Sequence, residues 1–250
     1  DGHHKQDCET AAAKRWLEQY AANYQALNVT LLGDDLYSRQ PLCERVIAAG
    51  LNFIFVCKPQ SHPTLTDWLD DLEKARAVQT IKIARCKGKR REIDVYRFVN
   101  QLPIRDGDDA LIVSWCELTT TDPDGKIIYQ NAFISNHRIS KDNVIDIVQA
   151  GRTRWKVENE NINTLKTKGY HLTHNFGHGK KYLSTLLASL NLLAFLCHTI
   201  LEMMDAKYQL VRARLSSRKQ FFHHMQALTC YLCFDSFDAL LDFMMQGLEI

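Results

Sequence analysis

Two acidic residues and one arginine have the surroundings that metal and phosphate chemistry needs. Asp34 follows the apolar run NVTLLG, and an acidic side chain at the end of a buried strand can reach a metal ion outside the carboxyl edge of a sheet. Glu158 and Arg154 are four residues apart in RTRWKVENENINTLK, which places them on one face of a predicted helix. Carboxylate oxygens suit hard cations such as Mg²⁺, and the guanidinium group suits phosphate oxygens.

Each of these residues also has an ordinary structural interpretation. An aspartate in a G-D-D-L run is common as a turn residue or helix cap. Arg154 and Glu158 could form a surface ion pair, which contributes little to stability. Asp35 points away from Asp34 if the strand geometry continues, so only one of the two is expected to face a site. The spacing alone leaves both interpretations open.

The elements that would position Asp34 alternate between helices and buried strands. We predict a helix over residues 7–27, a strand ending at Asp34, a helix in SRQPLCERVIAAG and a second strand in LNFIFVCK. Pro near the start and Gly50 after the end are typical of a helix. This order with short connections predicts an α/β fold.

The elements after Pro59 differ from those before it. Four β-rich runs between residues 78 and 139, separated by polar turns, predict a β-meander. Helical patterning returns at Ser140, and two long helices are expected at 182–215 and about 218–246. The predicted divisions of the chain are 1–62, 63–139, 140–181 and 182–250.

Bulk composition constrains the partners only weakly. The 31 basic and 29 acidic side chains give a net charge of +2, so a DNA-binding surface must come from local clustering. The eight cysteines are scattered, which is typical of free thiols in the reducing cytoplasm. The apolar stretch 182–204 is long enough to span a membrane, but its Ser, Asn, His and Glu residues favour a helix buried in a protein core. No membrane partner is therefore expected.

Two motifs resemble those of the insertion-sequence DDE transposases. The run RWKVENEN, followed by LK and by GYHLTHNFGHG, resembles the C-terminal catalytic motif of that family. The run GDDLY, followed by a helix and a strand, resembles the second-aspartate motif, in which an aspartate stands three residues before a tyrosine. Tyr37 therefore selects Asp34 over Asp35. In the family's order, and with the β-rich segment between them, the motifs cover residues 28 to about 179.

The resemblance implies a ribonuclease H-like catalytic core with a β-rich insertion and a C-terminal helical region. It implies that Asp34 and Glu158 are catalytic ligands of Mg²⁺ (or Mn²⁺), and that Arg154, Lys166 and Lys168 contact DNA phosphates. The implied activity is metal-dependent DNA strand cleavage and transfer during transposition. The implied partners are the double-stranded DNA of transposon ends and target and, in the DNA complex, a second copy of the chain. The implied location is the bacterial cytoplasm, at the nucleoid when bound to DNA.

The sequence departs from the family's Tyr-Arg-Glu-Lys pattern at two positions. In that pattern a tyrosine precedes the arginine by three residues and a lysine follows the glutamate by seven. Gly151 and Leu165 stand at these positions, and Lys166 is the next residue. The departures put the tyrosine and lysine roles in doubt, but not that of the glutamate.

The first aspartate of the family is also not identified. Asp1 and Asp7 precede a helix and end no buried strand, so we expect the first aspartate and the first three strands upstream. The alternative is a catalytically inactive transposase remnant or a DNA-binding module. Another ribonuclease H-like nuclease, such as a resolvase, fits the element order but not the GYHLTHNFGHG run. For His171, His174 and His178 we expect a connector or DNA contacts rather than a zinc site, because no ligand set closes.

Overall fold

The computed structural model describes residues 8–87, 90–174, 177, 179 and 181–250. The contacts between residues divide the chain into two compact units, Asp1–Arg154 and Trp155–Ile250. Asp1 and Asp7, which were considered for the missing first aspartate, lie outside the described residues, as does His178.

The first unit is a mixed α/β unit with helices and strands in the predicted order. Its elements are α1 (Glu9–Tyr20), a 3₁₀ turn (Ala21–Leu27), β1 (Thr30–Gly33), α2 (Gln40–Ala48), β2 (Asn52–Val56), a 3₁₀ turn (Pro59–Ser61), α3 (Pro63–Lys74), β3 (Gln79–Lys87), β4 (Arg90–Pro103), β5 (Ile112–Thr121), β6 (Ile127–Ser135) and most of α4 (Val144–Lys156). The helix–strand alternation up to β2 and the four-stranded meander after it are thus confirmed.

The six strands found among the described residues form one mixed sheet in the order β1-β2-β6-β5-β4-β3. β1 and β2 are parallel, with Leu31 opposite Phe53, and every other pairing is antiparallel. The meander continues the sheet of β1 and β2, because β6 pairs with β2 with Phe55 opposite Ile134. β1 is an edge strand of the described sheet. It pairs with β2 on one side, and on its other side no described strand pairs with it.

Side chains from β2 alternate between two cores, as the period of two in a strand requires. Phe53 and Phe55 belong to a cluster that includes residues of α1, α2 and α3. Ile54 and Val56 belong to a second cluster that includes residues of α4. The sheet is therefore covered by helices on both faces, and β2 is buried on both sides.

The second unit is helical. Its elements are the end of α4, a π-helical segment (Val157–Ile162), α5 (Asn163–Thr167), α6 (Leu183–Met204), α7 (Ala206–Arg214), α8 (Arg218–Tyr231) and α9 (Phe237–Leu248). Each of the two long helices expected here is divided in two. After each break the next helix begins at an N-cap residue, Asp205 for α7 and Ser236 for α9. Their side chains accept hydrogen bonds from Tyr208 N and Ala239 N.

Helix α6 is less buried than expected. None of its residues is buried, although Leu201 packs against the core cluster of α7, α8 and α9. Within the described part of the chain it is the one helix long and apolar enough to cross a membrane, by length and composition alone. The expectation of a helix buried in a core is therefore wrong, because only one face of α6 has neighbours in its own unit.

Candidate functional site

Asp34 lies in a tight turn at the carboxyl end of β1. Tyr37 N donates to Asp34 O at 3.1 Å and closes the turn, and Leu36 N donates to Asp34 Oδ1 at 2.9 Å. Among the described residues, no hydrogen bond reaches Asp34 Oδ2. The carboxylate is half-buried and keeps one oxygen available for a ligand.

Asp35 has a different set of partners. Its Oδ1 accepts from Lys58 N at 2.7 Å, and its Oδ2 accepts from Ser61 Oγ. Both donors belong to the loop that follows β2, so Asp35 joins the ends of two neighbouring parallel strands. Both carboxylate oxygens of Asp35 are thus used in structural hydrogen bonds, whereas Asp34 uses only Oδ1 in this way.

A buried polar pair supports the same junction. Ser38 Oγ lies 2.6 Å from His62 Nε2 and donates to Asp35 O at 2.7 Å. Both side chains are buried, and burial, with the positive charge of Arg39, lowers the pKa of His62. Because the single hydroxyl proton of Ser38 is donated to Asp35 O, a neutral imidazole protonated at Nε2 donates to Ser38 Oγ. Nothing in the sequence around Ser38 or His62 signalled this pair.

Tyr37 is clamped between α1 and β2. Its hydroxyl group donates to Glu9 Oε1 at 2.6 Å, and its ring lies 5.9 Å from that of Phe55. Burial raises the pKa of Tyr37, and so do the hydrogen bond to Glu9 and the negative charges of Glu9 and Asp34. A Cβ at Gly33 would lie 2.7 Å from Phe55 Cδ1 and 2.8 Å from Tyr37 Cβ, so the glycine is required for this packing. Glu9 is thus an acidic neighbour of the turn that the sequence did not indicate.

Arg154 lies near the end of α4, one turn after Gly151. A Cβ at Gly151 would lie 2.7 Å from Phe133 Cδ1 and 3.1 Å from Ile54 Cγ2, because α4 packs closely on β6 and β2. This contact explains why the position that carries tyrosine in the resembled pattern holds no side chain here. Arg154 itself is half-buried and belongs to the first unit.

Glu158 lies in the π-helical segment of the second unit. Asn163 N donates to Glu158 O, the i→i+5 hydrogen bond of a π-helix. Polar side chains bond to carbonyl groups there: Asn159 Nδ2 donates to Trp155 O at 3.2 Å, and Thr164 Oγ1 donates to Glu160 O. π-helical turns inside α-helices occur frequently at functional sites. Glu158 is exposed.

The π-helical segment changes which later residue shares a face with Glu158. In an α-helix, the seventh residue after Glu158 would lie on the same helix face as Glu158. A π turn holds one residue more than an α turn, so here the eighth residue lies on that face. The seventh residue, Leu165, is buried at 3% exposure, whereas the eighth, Lys166, is exposed. Lys168 is also exposed and is the C-cap residue of α5.

The start of the GYHLTHNFGHG run is anchored by packing. Gly169 has a φ of +102°, and a Cβ there would lie 2.6 Å from Phe222 Cδ2. Tyr170 is buried, and its ring packs against Phe195 and Phe222. His174 N donates to His171 O at 2.8 Å, so these two histidines lie in a turn. The first part of the motif is therefore a structural connection between α5 and the later helices.

The structure gathers only part of the expected site. Asp34, Tyr37 and Glu9 lie together in the first unit, which also holds Arg154; Glu158, Lys166 and Lys168 belong to the second. Among the described residues, no three His, Cys, Asp or Glu side chains form a group that could hold a metal ion. An Mg²⁺ ion would require several oxygen ligands, and the described residues of neither unit supply a complete set.

Comparisons with known proteins do not assign the chain to a family. No family model matches the chain, and no curated protein matches it.

Proposed function

We propose that this chain is part of the catalytic domain of a DDE-type insertion-sequence transposase with a ribonuclease H-like core. It binds double-stranded DNA at transposon ends and target, as a homodimer in the DNA complex in the bacterial cytoplasm. It contributes Asp34 and Glu158 to the cleavage and transfer of DNA strands. Divalent cations, Mg²⁺ or Mn²⁺, activate the attacking oxygen and stabilise the leaving oxygen in such phosphoryl transfers.

The observation that carries this proposal is the arrangement of the two aspartates after β1. In open α/β sheets, ligands bind outside the carboxyl ends of the strands. Asp34 stands at such an end with Oδ2 unbonded within the described residues, while Asp35 is bonded to the loop after β2. This is the assignment that the spacing to Tyr37 favours in the resembled motif.

The π-helical register supports the second half of the proposal. In a continuous α-helix, the lysine of the Tyr-Arg-Glu-Lys pattern lies on the same helix face as the glutamate. With the extra residue of a π turn, that face of the helix is the one expected for Lys166. Lys166 therefore takes the lysine role despite its shifted position in the sequence. Arg154, Lys166 and Lys168 contact phosphate oxygens, Arg154 with a planar fork and the lysines as point charges.

A nicking assay with matched variants tests the proposal. The full-length protein is incubated with Mg²⁺ and a supercoiled plasmid that carries its gene with the flanking DNA. We expect nicking, and we expect Asp34→Asn and Glu158→Gln to reduce it at least 100-fold. Glu160→Gln, in the same π-helical segment, and Asp108→Asn, in the turn before β5, are the controls and should nick at the parental rate. Unchanged nicking by Glu158→Gln would overturn the assignment.

A second candidate function is DNA binding without cleavage, as a catalytically inactive remnant. It is favoured by the absence of a three-ligand group among the described residues. The same plasmid distinguishes the two functions, because a DNA-binding module retards the plasmid in a gel without nicking it. In that case Asp34→Asn and Glu158→Gln would leave the retardation unchanged, whereas Lys166→Ala would weaken it.

A further inference from the structure

Helix α6 presents an apolar row on its exposed side. Six exposed residues follow one another at alternating intervals of four and three, the spacing of a coiled-coil seam: Leu186, Leu190, Leu193, Cys197, Ile200 and Met204. We call this row the α6 seam. Leu192, Leu196 and Met203 lie beside it and are also exposed. The apolar stripe runs the length of a 22-residue helix.

The opposite side of α6 is already occupied within the second unit. The ring of His198 packs against Tyr170, Phe221 and Phe222, and its Nδ1 lies 3.1 Å from Tyr208 Oη. Glu202, the one charged residue of the helix, forms an ion pair with Arg218. α6 is therefore fixed to its unit by one side, and its other side is not covered by the described residues of that unit. Crossing a membrane would require breaking these polar contacts.

The size and charge of the exposed stripe fit a second copy of the same chain. Its eight large apolar residues are each 45–81% exposed, an area comparable to the ~800 Å² that each partner contributes to an interface of standard size. The stripe carries no charged residue, so two copies meet without like-charge repulsion. An alternating four–three row is also self-complementary, because seam residues of one helix fit between those of an identical helix.

We propose that two copies of this chain associate through their α6 seams in an isologous dimer. The dimer forms without DNA, so it goes beyond the proposed function. Side chains of each α6 seam insert between side chains of the other, and twofold symmetry makes these contacts the same in both directions. Leu193, near the middle of the helix, lies at the centre of the interface.

Analytical ultracentrifugation of the full-length protein without DNA tests the proposal. We expect a monomer–dimer equilibrium with a dissociation constant of about 1 μM or below. Leu193→Glu places two carboxylates in the apolar interface and should raise this constant at least 100-fold. Leu210→Glu is the matched control: Leu210 is 50% exposed on α7, outside the α6 seam, and its replacement should leave the constant unchanged.

The outcomes separate the possible occupants of the α6 seam. Loss of the dimer in Leu193→Glu alone, with an unchanged helical circular dichroism signal, supports the proposal. If Leu193→Glu fails to fold, Leu193→Gln replaces it and should raise the dissociation constant at least tenfold. A monomer at all concentrations would overturn the proposal, and so would a dimer whose dissociation constant is unchanged in both Leu193 variants. Co-flotation of the protein with phosphatidylcholine vesicles would also overturn it, because the α6 seam would then bind a membrane. Nicking is measured separately, so either proposal can fail without the other.

Discussion

At the level of single residues, Asp34 and Asp35 show how neighbouring carboxylates acquire different tasks. Asp34 uses one oxygen within its own turn, whereas Asp35 uses both oxygens to tie β1 to the loop after β2. The difference arises in the turn that follows β1, where the Asp34 side chain bonds within the turn and the Asp35 side chain bonds to the loop after β2. A residue freed from structural bonds in this way is the one that can bind a ligand.

Alanine substitutions at the two positions should therefore differ in their effects on stability and on nicking. Asp35→Ala leaves Lys58 N and Ser61 Oγ without their acceptor and should lower the free energy of unfolding by about 1–3 kcal/mol. Asp34→Ala removes one turn hydrogen bond and should cost about 1 kcal/mol or less, while abolishing nicking. Urea unfolding measures the first effect and the plasmid assay the second. A larger stability loss for Asp34→Ala would contradict the division of tasks.

His198 provides a pH-dependent contribution to the stability of the second unit. Burial, with the charges of Arg218 and Arg212, lowers the pKa of His198 from the ordinary 6.5 to about 4. Between these values the unfolded chain binds a proton that the folded chain does not, so stability falls as the pH drops from about 6.5 towards 4.

Thermal unfolding of His198→Gln tests this contribution. The parent protein should lose more of its Tm between pH 7 and about pH 4.5 than the variant does, because the variant lacks the neutral imidazole. His223→Gln, an exposed histidine on α8, is the control and should follow the parent curve. Parallel curves for the parent and His198→Gln would show that His198 does not contribute.

The sequence indicated some site residues and not others. Tyr37 favoured Asp34 over Asp35 because, in the resembled motif, the aspartate stands three residues before the tyrosine. Glu9 and the Ser38–His62 pair escaped notice because their partners are distant in the chain: Glu9 meets Tyr37 across 28 residues, and Ser38 meets His62 across 24. Short-range spacing carries no information about such contacts.

At the level of elements, the close packing of α4 on the sheet depends on Gly151. Replacing a helical glycine by alanine normally stabilises a helix by up to about 1 kcal/mol. Here the new Cβ would lie 2.7 Å from the buried ring of Phe133, so we expect Gly151→Ala to destabilise the protein by about 1–3 kcal/mol. Urea unfolding measures the change.

Gly247→Ala is the matched control for this prediction. Gly247 also lies in a helix, α9, but a Cβ there meets no atom within 4 Å. It should show the ordinary stabilising effect of alanine. The same sign for both substitutions would mean that α4 can shift on the sheet without cost.

The elements of the first unit were easier to predict than the helices of the second. Short apolar runs identified β1 and β2, and β-rich runs separated by polar turns identified the meander. In the second unit the apolar periodicity runs through Asp205 and past Ser236, which hid the breaks, although both residues are good N-caps. The pairing of β6 with β2 was not predictable, because it joins strands more than 70 residues apart.

At the level of the whole molecule, the near-neutral balance of charge means that the proposed DNA binding would depend on a few basic residues. If Lys166 contacts a phosphate group, Lys166→Ala should weaken binding to duplex DNA and lower the slope of log K against log salt by about one. Fluorescence anisotropy at several salt concentrations measures both. Lys141→Ala, an exposed lysine before α4, is the control and should leave the slope unchanged.

The π-helical segment at Glu158 also affects how such a chain is compared with others. If Glu158 is the glutamate of the Tyr-Arg-Glu-Lys pattern, a search pattern with a fixed interval between glutamate and lysine finds Leu165 and scores a mismatch. A single-codon insertion in an α-helical ancestor would produce both the π turn and the shifted lysine. Alignments of this helix therefore need a one-residue gap between Glu158 and Lys166, although no loop separates them.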